Sequence, residues 1–380
     1  MNFAVIGAGF SGSVIANFLA KNGHYVEVFE SRQHIGGNCY TERHPSGVLI
    51  HKYGPHIFHT NNKQVWDFVN GLSEFKPFIN RVKVNFNNEI FSLPINLHTI
   101  NQFYKSSFNP LQAERFISEI SDQRILNPTS FEEQALKYVG KDLYEAFFKG
   151  YTQKQWGVSP KDLPASILKR LPLRFNYDDN YFNHKFQGIP INGYTPIFEK
   201  LLDHPKIKIK LSKCFDRSMS EKFDHIFHSG SIDSWFEYSL GVLPYRTLDF
   251  EMELHKGDFQ GCAVMNYSSE DIPYTRITEH KHFAPWEINE NTVIFKEFSR
   301  EFKVGDIPYY PIRLLKEKRL LKEYIKLSKK ERNVSFVGRL GTYRYLDMDK
   351  TIEEAIEASL RTISAINAKE KIPVFFVNPL

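Results

Sequence analysis

The stretch Met1-Asn-Phe-Ala-Val-Ile-Gly-Ala-Gly-Phe-Ser-Gly12, followed after a helix-length interval by Tyr25-Val-Glu-Val-Phe-Glu30, decides the fold. The apolar run from Phe3 to Ile6 predicts a buried strand. It runs into Gly7-x-Gly9-x-x-Gly12, a segment of helical character to Ala20, and a second apolar run closed by an acid. That order is a βαβ unit of the dinucleotide-binding kind. Gly7 permits the tight turn, Gly9 lets a pyrophosphate approach the backbone, and Gly12 lets helix and strand pack closely. The amides around Phe10 and Ser11 then open the helix toward the phosphates. Glu30 stands where an acid takes ribose hydroxyls, about 20 residues past the glycines, with Ser31 beside it.

A second glycine pair follows the acid, in Ser31-Arg32-Gln33-His34-Ile35-Gly36-Gly37-Asn38. An ordinary loop is one reading of it. The pair also resembles the segment that follows the acid in flavoproteins of the glutathione-reductase and amine-oxidase type, and that resemblance favours FAD over NAD.

With 380 residues the chain can hold two or three packed units. Its 49 basic and 44 acidic side chains leave a net charge of +5, far from the basic field of a nucleic-acid-binding protein, so no nucleic-acid partner is expected. The densest basic run, 314–332, interleaves its cations with leucines at helical spacing and reads as an amphipathic helix with a solvated face. Cys39, Cys214 and Cys262 have neither CxxC spacing nor an even count, which predicts reduced thiols in a reducing compartment. No window approaches the roughly 18 apolar residues of a membrane span, and the apolar N-terminus is the first strand, so a soluble cytoplasmic protein is expected.

Further along, His51-Lys-Tyr-Gly-Pro-His56-Ile57-Phe-His59 runs from a short strand into a Gly-Pro loop carrying His56 and His59. No Cys, Asp or Glu lies among these histidines and Gly-Pro breaks the element that would aim them together, so no metal site is expected. A structural role or contact with a cofactor or substrate remains. Residues 81–93 alternate about Asn87-Asn88 and predict a β-hairpin. From Thr99 to Leu168 the pattern is helical, punctuated by Gly140, Gly150 and Gly157. Phe147, Phe148, Tyr151 and Trp156 on that pattern suit a core, or a stacking platform for a planar ligand.

Strands at 207–211 and 223–227 return the chain to the dinucleotide domain, and four alternating runs between Leu248 and Phe298 predict an antiparallel sheet. A buried strand ends at Gly338-Arg339. Thr351-x-x-Glu354 has capping-box spacing and predicts a helix starting there. The fold class is therefore α/β: a discontinuous Rossmann-like FAD-binding domain (1–70, 190–235 and 330–366), an inserted helical domain (97–168), and an antiparallel β-sheet domain (71–96, 169–189 and 236–329), with a tail at 367–380. Arg170, Arg246, Arg276, Tyr181, Tyr310 and Tyr345 lie in Gly/Pro-rich segments. Arg forks with Tyr hydroxyls suit a diphosphate, although any one Arg can equally be a surface ion pair.

Long stretches then match one family. Ala146-Phe-Phe-Lys-Gly-Tyr-Thr-Gln-Lys-Gln-Trp156-Gly, Arg170-Leu-Pro-Leu-Arg-Phe-Asn-Tyr-Asp-Asp-Asn-Tyr181, Tyr274-Thr-Arg276, and Gly338-Arg339-Leu-Gly-Thr-Tyr-Arg-Tyr345-Leu346-Asp347-Met348 carry the resemblance. Up to about residue 363 the chain resembles the bacterial UDP-galactopyranose mutases. The resemblance implies a redox-neutral interconversion of UDP-galactopyranose and UDP-galactofuranose on FAD that must be reduced. In that family N5 of the flavin attacks the anomeric carbon, UDP leaves, and the sugar reopens and recloses through a covalent flavin–sugar intermediate.

Carried over by position, the resemblance makes Arg170 and Arg276 the diphosphate-binding arginines and, with His59, the catalytic set. Tyr181, Tyr310 and Tyr345 assist them. Phe147, Phe148, Tyr151, Thr152 and Trp156 form the uridine pocket, Asn80 and Asn266 contact the nucleotide sugar, and Arg246 lies near the sugar. His56, Ile57 and His59 flank the flavin ring. Gly7, Gly9, Phe10, Ser11, Gly12, Glu30, Ser31, Gly37, Asn38, Gly338, Arg339, Tyr345, Leu346, Asp347 and Met348 hold the cofactor. A mobile loop at about 168–183, a homodimer and a role in cell-surface polysaccharide synthesis are implied as well. Two rivals share the glycine motif: a flavin oxidase of the amine-oxidase class, and a non-enzymatic binding protein of the GDP-dissociation-inhibitor type.

Overall fold

The computed structural model describes residues 1–170, 173–313 and 318–380, the side chains of Lys169, Arg170 and Lys318 excepted. The glycine stretch folds as strand β1 (Asn2–Ile6), helix α1 (Phe10–Lys21) and strand β2 (Tyr25–Phe29). β1 and β2 pair in parallel with Phe3 opposite Val26 and Val5 opposite Val28. Strand Ile207–Lys210 adds beyond β2, and His225–His228 then Val334–Phe336 add beyond β1, giving a five-stranded parallel sheet. Parallel strands need crossovers and both faces covered. Accordingly Val14, Ile15 and Leu19 of α1, Phe198 and Leu201 of helix Thr195–Leu202, and Ile352 and Ala355 of helix Met348–Ala368 pack on the face of Phe3, Val5, Val26 and Val28, while Leu321, Tyr324 and Ile325 of helix Lys318–Ser328 pack on the face of Ala4, Phe29 and Ile226.

The glycines do what their spacing requires. Gly7 has φ +98°. A Cβ on Gly12 would lie 1.9 Å from the Gly7 carbonyl oxygen and 2.9 Å from Val5. Only a bare Cα lets α1 start this close to β1.

The second sheet is larger than the four runs predicted. It has seven strands in the order Tyr310–Pro311, Tyr245–Lys256, Asn291–Glu301, Arg276–Glu279, Val264–Tyr267, Val82–Phe86, Glu89–Leu93. The hairpin at 82–93 thus belongs to it, turning on Asn87 and Asn88 with φ +51° and +63°. Its pairing is antiparallel except between Val264–Tyr267 and Val82–Phe86, which run parallel. That join spans some 180 residues of chain, and no local periodicity carries it.

The helical unit contains Leu97–Phe103, Pro110–Ile120, Phe131–Leu143 and Gly150–Trp156. Capping boxes at Asn109/Gln112 and Ser130/Glu133 start two of them. Gly140 (φ +78°) kinks the third, and Gly157 (φ +67°) ends the last. Gly150, predicted to punctuate, instead continues the chain from a π-helical turn at Tyr144–Lys149 straight into the final helix. It is glycine for another reason: a Cβ there would lie 2.2 Å from the Ser268 carbonyl oxygen.

Two further expectations shift. The last long helix begins at Met348 after Asp347, so Thr351 and Glu354 lie inside it, and the Thr351 hydroxyl donates to the Asp347 carbonyl. The basic amphipathic helix runs Lys318–Ser328, residues 314–317 lying outside those described. The C-terminal residues pack on the parallel sheet: the Phe336 amide donates to the Val374 carbonyl at 2.9 Å and Phe376 stacks against Phe227. Among the described residues no helix is long and apolar enough to cross a membrane.

Candidate functional site: a nucleotide cradle opening into an aromatic cleft

At the C-terminal end of β1 and β2 three glycine-bearing turns converge. A Cβ on Gly37 would sit 3.1 Å from the Gly9 Cα, and one on Gly338 would sit 2.4 Å from Ser11 Oγ. The second glycine pair therefore packs on the first, and its loop reading gives way to a built contact. Gly9 precedes α1 with no side-chain cap, so the first-turn amides of Phe10, Ser11 and Gly12 keep their donors. The Phe10 ring itself packs into the core against Phe198 at 4.6 Å between centroids. Glu30 is 6% exposed; its carboxylate accepts from the amides of Ala8 and Arg32 at 2.9 and 3.0 Å and from Ser31 Oγ at 3.3 Å. A carboxylate has about four acceptor sites, so capacity remains for ribose hydroxyls. Arg32 donates to Asn38 Oδ1 at 2.7 Å and lies over Tyr53, while its Nη1 is buried without a partner. An orphaned guanidinium nitrogen, uncapped helix amides and a carboxylate with spare acceptors fit a dinucleotide.

From Asn38, Arg339 and Met348 the cradle opens into a cleft of about 670 Å³. It brings together Asn38, His56, Ile57, His59, Asn80, Phe147, Phe148, Tyr151, Thr152, Trp156, Tyr181, Asn266, Arg276, Tyr310, Arg339, Tyr345, Leu346, Asp347 and Met348. The aromatic helix forms one wall. Phe147 is 3% exposed and wedged against Phe86, Phe91 and Phe103, so the core reading and the ligand-wall reading both hold for it.

Opposite stands Arg276. Its Nε and Nη2 both lie 2.8 Å from the Glu297 carboxylate, itself 1% exposed, and the Nη1 edge is not used in that pair. Burial works against the charge, but Glu297 outweighs it and holds the guanidinium firmly protonated. Tyr310 stacks on Tyr345 at 5.8 Å, and the Arg339 guanidinium lies 4.9 Å over the Tyr345 ring. Burial pushes the Tyr151, Tyr181 and Tyr310 phenols up, so they remain hydroxyl donors at neutral pH.

His59 stands on strand Phe58–Thr60 rather than in the Gly-Pro loop, stacked on Phe182 at 3.7 Å, its Nδ1 2.6 Å from Nδ1 of His184. Burial lowers its pKa, and that of His56 to about 4, so both rings are neutral. His56 Nδ1 lies 2.8 Å from the Gly54 carbonyl, which places the proton on Nδ1. Among the described residues one metal-sized group of side chains occurs, Asp258, Glu279 and His282, outside the cleft. Its Glu279 oxygens already accept the amides of Phe259, Gln260 and Gly261, and Lys281 lies 2.8 Å from Asp258.

Two predicted residues stand apart. Arg246 does not line the cleft: 6% exposed, it donates from Nε to the Gln155 carbonyl at 3.1 Å and to Ser299 Oγ at 3.0 Å, capping the aromatic helix. The structure thus shows this buried guanidinium held by helix-end carbonyls. The Arg170 side chain lies outside the described residues. Conversely, Gln155 lines the cleft unpredicted. Its Oε1, like Asn80 Oδ1 and Asn266 Oδ1, is buried without a partner. Four residues after Tyr151 on one helix, it shares that face, and helical spacing was the signal available. Tyr53, Tyr309, Arg313 and Arg344 also line the cleft.

A glycine cradle opening into such a cleft defines a Rossmann-like dinucleotide-binding protein, and residues 5–72 match the family of NAD(P)-binding Rossmann-like domains. Residues 146–345, which hold the aromatic helix, Arg276 and Tyr310, match the UDP-galactopyranose mutase family. The chain is 56% identical over 377 residues to a probable UDP-galactopyranose mutase of Klebsiella pneumoniae, covering 99% of this chain and 98% of that one. It is 54% identical over 363 residues to a dTDP-fucopyranose mutase of Escherichia coli, covering 93% and 96%. A crystal structure of reduced UDP-galactopyranose mutase superposes with a TM-score of 0.75 at 16% identity, covering 100% of this chain and 96% of that one. The chain belongs to the UDP-galactopyranose mutase family.

Proposed function

We propose that the chain is an isomerase that interconverts the pyranose and furanose forms of a nucleoside-diphosphate hexose, UDP-galactose, with reduced FAD as cofactor. The observation that carries this reading is the continuity of the cleft. One end borders the dinucleotide cradle at Asn38, Arg339 and Met348, the middle carries Arg276 with Tyr310 and Tyr345, and the far wall is the aromatic helix. A nucleotide sugar stretched along it would meet stacking partners for its base, charged and phenolic donors for its diphosphate, and the cofactor at its sugar.

Residues that would hold the flavin are Glu30, Asn38, Arg339 and Met348, with the glycine turns at the pyrophosphate. Bound and reduced, a flavin supplies an electron-rich ring nitrogen able to attack the anomeric carbon and leave again. The chain's own residues do the rest. Arg276 is charged, largely buried and fixed by Glu297, so it stabilises a departing diphosphate without reorganising. The orphaned carbonyl oxygens of Asn80, Gln155 and Asn266 accept from base or sugar donors. His59, neutral and hydrogen-bonded to His184, can carry a proton for ring opening and closure. A cytoplasmic homodimer serving cell-surface polysaccharide synthesis belongs to the same reading and rests on the family resemblance alone.

The Escherichia coli relative supports a second substrate, dTDP-fucose, because its identity is nearly as high. The two nucleotide sugars differ at the C6 hydroxyl, the ribose and the base methyl. A site that hydrogen-bonds a hydroxyl rejects the analogue without it by about 10⁴-fold, whereas an extra methyl is worth only about 10–200-fold. Incubation of the purified protein with UDP-galactofuranose, as isolated and after dithionite reduction, is expected to give the pyranose only in the reduced sample. Conversion confined to dTDP-fucofuranose would move the assignment to the second substrate. A yellow protein inert toward both, but bleached by an amine, would reject the mutase reading.

A further inference from the structure

The cleft's two recognition walls belong to different parts of the chain. The aromatic helix Gly150–Trp156 belongs to the helical unit, while Asn266 and Arg276 belong to the seven-stranded sheet. Those two residues are direct partners across antiparallel strands, and the turn at 268–275 joins their strands. Whatever fixes the helix to that turn therefore fixes the distance from the base wall to the diphosphate arginine.

Lys154 is placed to do this. Its Nζ lies 2.8 Å from the carbonyl oxygens of Tyr267 and Ser269, 2.9 Å from that of Ile272 and 3.1 Å from that of Tyr274. Four carbonyls of one turn saturate an ammonium that has three hydrogens. Tyr151, Thr152, Gln155 and Trp156 line the cleft and Lys154 does not. One helical turn earlier, Gly150 touches the same turn through the missing Cβ that Ser268 would block. Beyond Lys154, Arg246 and Ser299 Oγ hold the helix-end carbonyls. Burial lowers the Lys154 pKa to about 8, with Asp271 and Glu270 on the caging turn acting against it, so the ammonium keeps its charge at neutral pH. The chain at Lys154 is pinned on three sides by groups that touch neither base nor diphosphate.

We propose that Lys154 is a positioning residue whose carbonyl cage sets the spacing between the base-facing helix and the strand pair carrying Asn266 and Arg276. This inference rests on the nucleotide-sugar reading of the cleft. Methionine at this site keeps the unbranched stem, one atom shorter, and removes every donor. Alanine at Gly150 pushes the helix off the turn at a second point and leaves the lysine intact.

Calorimetric titration with UDP at neutral pH, beside steady-state kinetics on the reduced holoenzyme, tests it. Folded Lys154→Met and Gly150→Ala proteins are each expected to bind UDP about tenfold or more weakly, because a misplacement on the order of 1 Å is costly in a two-point site. Their kcat at saturating substrate should stay within about threefold of wild type, since neither residue touches the reacting atoms. A merely structural lysine would lower the melting temperature and leave UDP affinity intact in both variants, and that result overturns the proposal. A wild-type protein that binds neither UDP nor dTDP overturns the nucleotide-sugar reading itself, and this inference with it.

Discussion

Arg276 shows how one side chain combines burial, charge and reach. Glu297 occupies two of its nitrogens, so the guanidinium is oriented before any ligand arrives. Replacing Arg276 by Ala removes a largely buried cation from the proposed diphosphate site and leaves Glu297 buried and unpaired. We expect kcat/KM to fall by about 10²–10³. Because the broken ion pair also destabilises the protein by about 3–5 kcal/mol, a melting curve has to accompany the assay. Turnover equal to wild type would remove Arg276 from the diphosphate role. At this scale the sequence was uneven as a guide. Arg276 and Asn266 were identifiable through the family resemblance, whereas Arg246, in a similarly turn-rich segment, proved to cap a helix. An arginine's partner is a matter of which carbonyls the fold brings to it, and no local pattern records that.

Elements were more legible where their signals are local. The βαβ unit and the Asn-Asn hairpin follow from glycine positions and turn residues, encoded within a few residues. The capping-box spacing at Thr351 starts no helix, since the helix already begins at Met348. A Thr side chain inside a helix bonds back to the preceding turn, here to the Asp347 carbonyl, so the same spacing occurs without a helix start. The parallel join of Val264–Tyr267 to Val82–Phe86 is set by packing between segments far apart in sequence. The element with the least tolerance is α1. For Gly12→Ala the new Cβ would overlap the Gly7 carbonyl, and helix and strand would have to separate at the phosphate turn. The variant should therefore purify with little or no yellow cofactor, as read by visible absorbance per mole of protein. A fully loaded Gly12→Ala protein would show that the cradle does not hold the flavin.

For the whole molecule, acid is the condition that separates its buried histidines from the unfolded chain. His225 and His228 on the parallel sheet, and His280 beside the larger one, are 4%, 5% and 0% exposed. Burial lowers the first two to about 4 and the third to about 3, against an ordinary value of 6.5. Above pH 6.5 they are neutral in both states and add no pH dependence. Below it the unfolded chain takes up protons that the folded one refuses, so stability falls as pH drops from 6.5 toward 4. Each contributes a slope of about 1.4 kcal/mol per pH unit, and the three together remove several kcal/mol by about pH 5. Urea unfolding across pH 5–8 reads this directly. A flat profile there would mean that the histidines are not buried neutral.

The packing of the last residues on the parallel sheet bears on how the molecule stays apart from its neighbours. A five-stranded open sheet has two raw borders, each a row of amides and carbonyls ready to recruit a foreign chain. On the border at Val334–Phe336 the backbone of Val374 already takes the Phe336 amide, and Pro373 receives the Ser335 hydroxyl, so that flank is closed by the protein's own strap. On the opposite border, Ile207–Lys210, the chain places the exposed Lys208, whose charge disfavours a flat strand arriving alongside, while Lys210 pairs inward with Glu27. One border is guarded by steric cover and the other by charge, and only the first is lost if the strap is cut away.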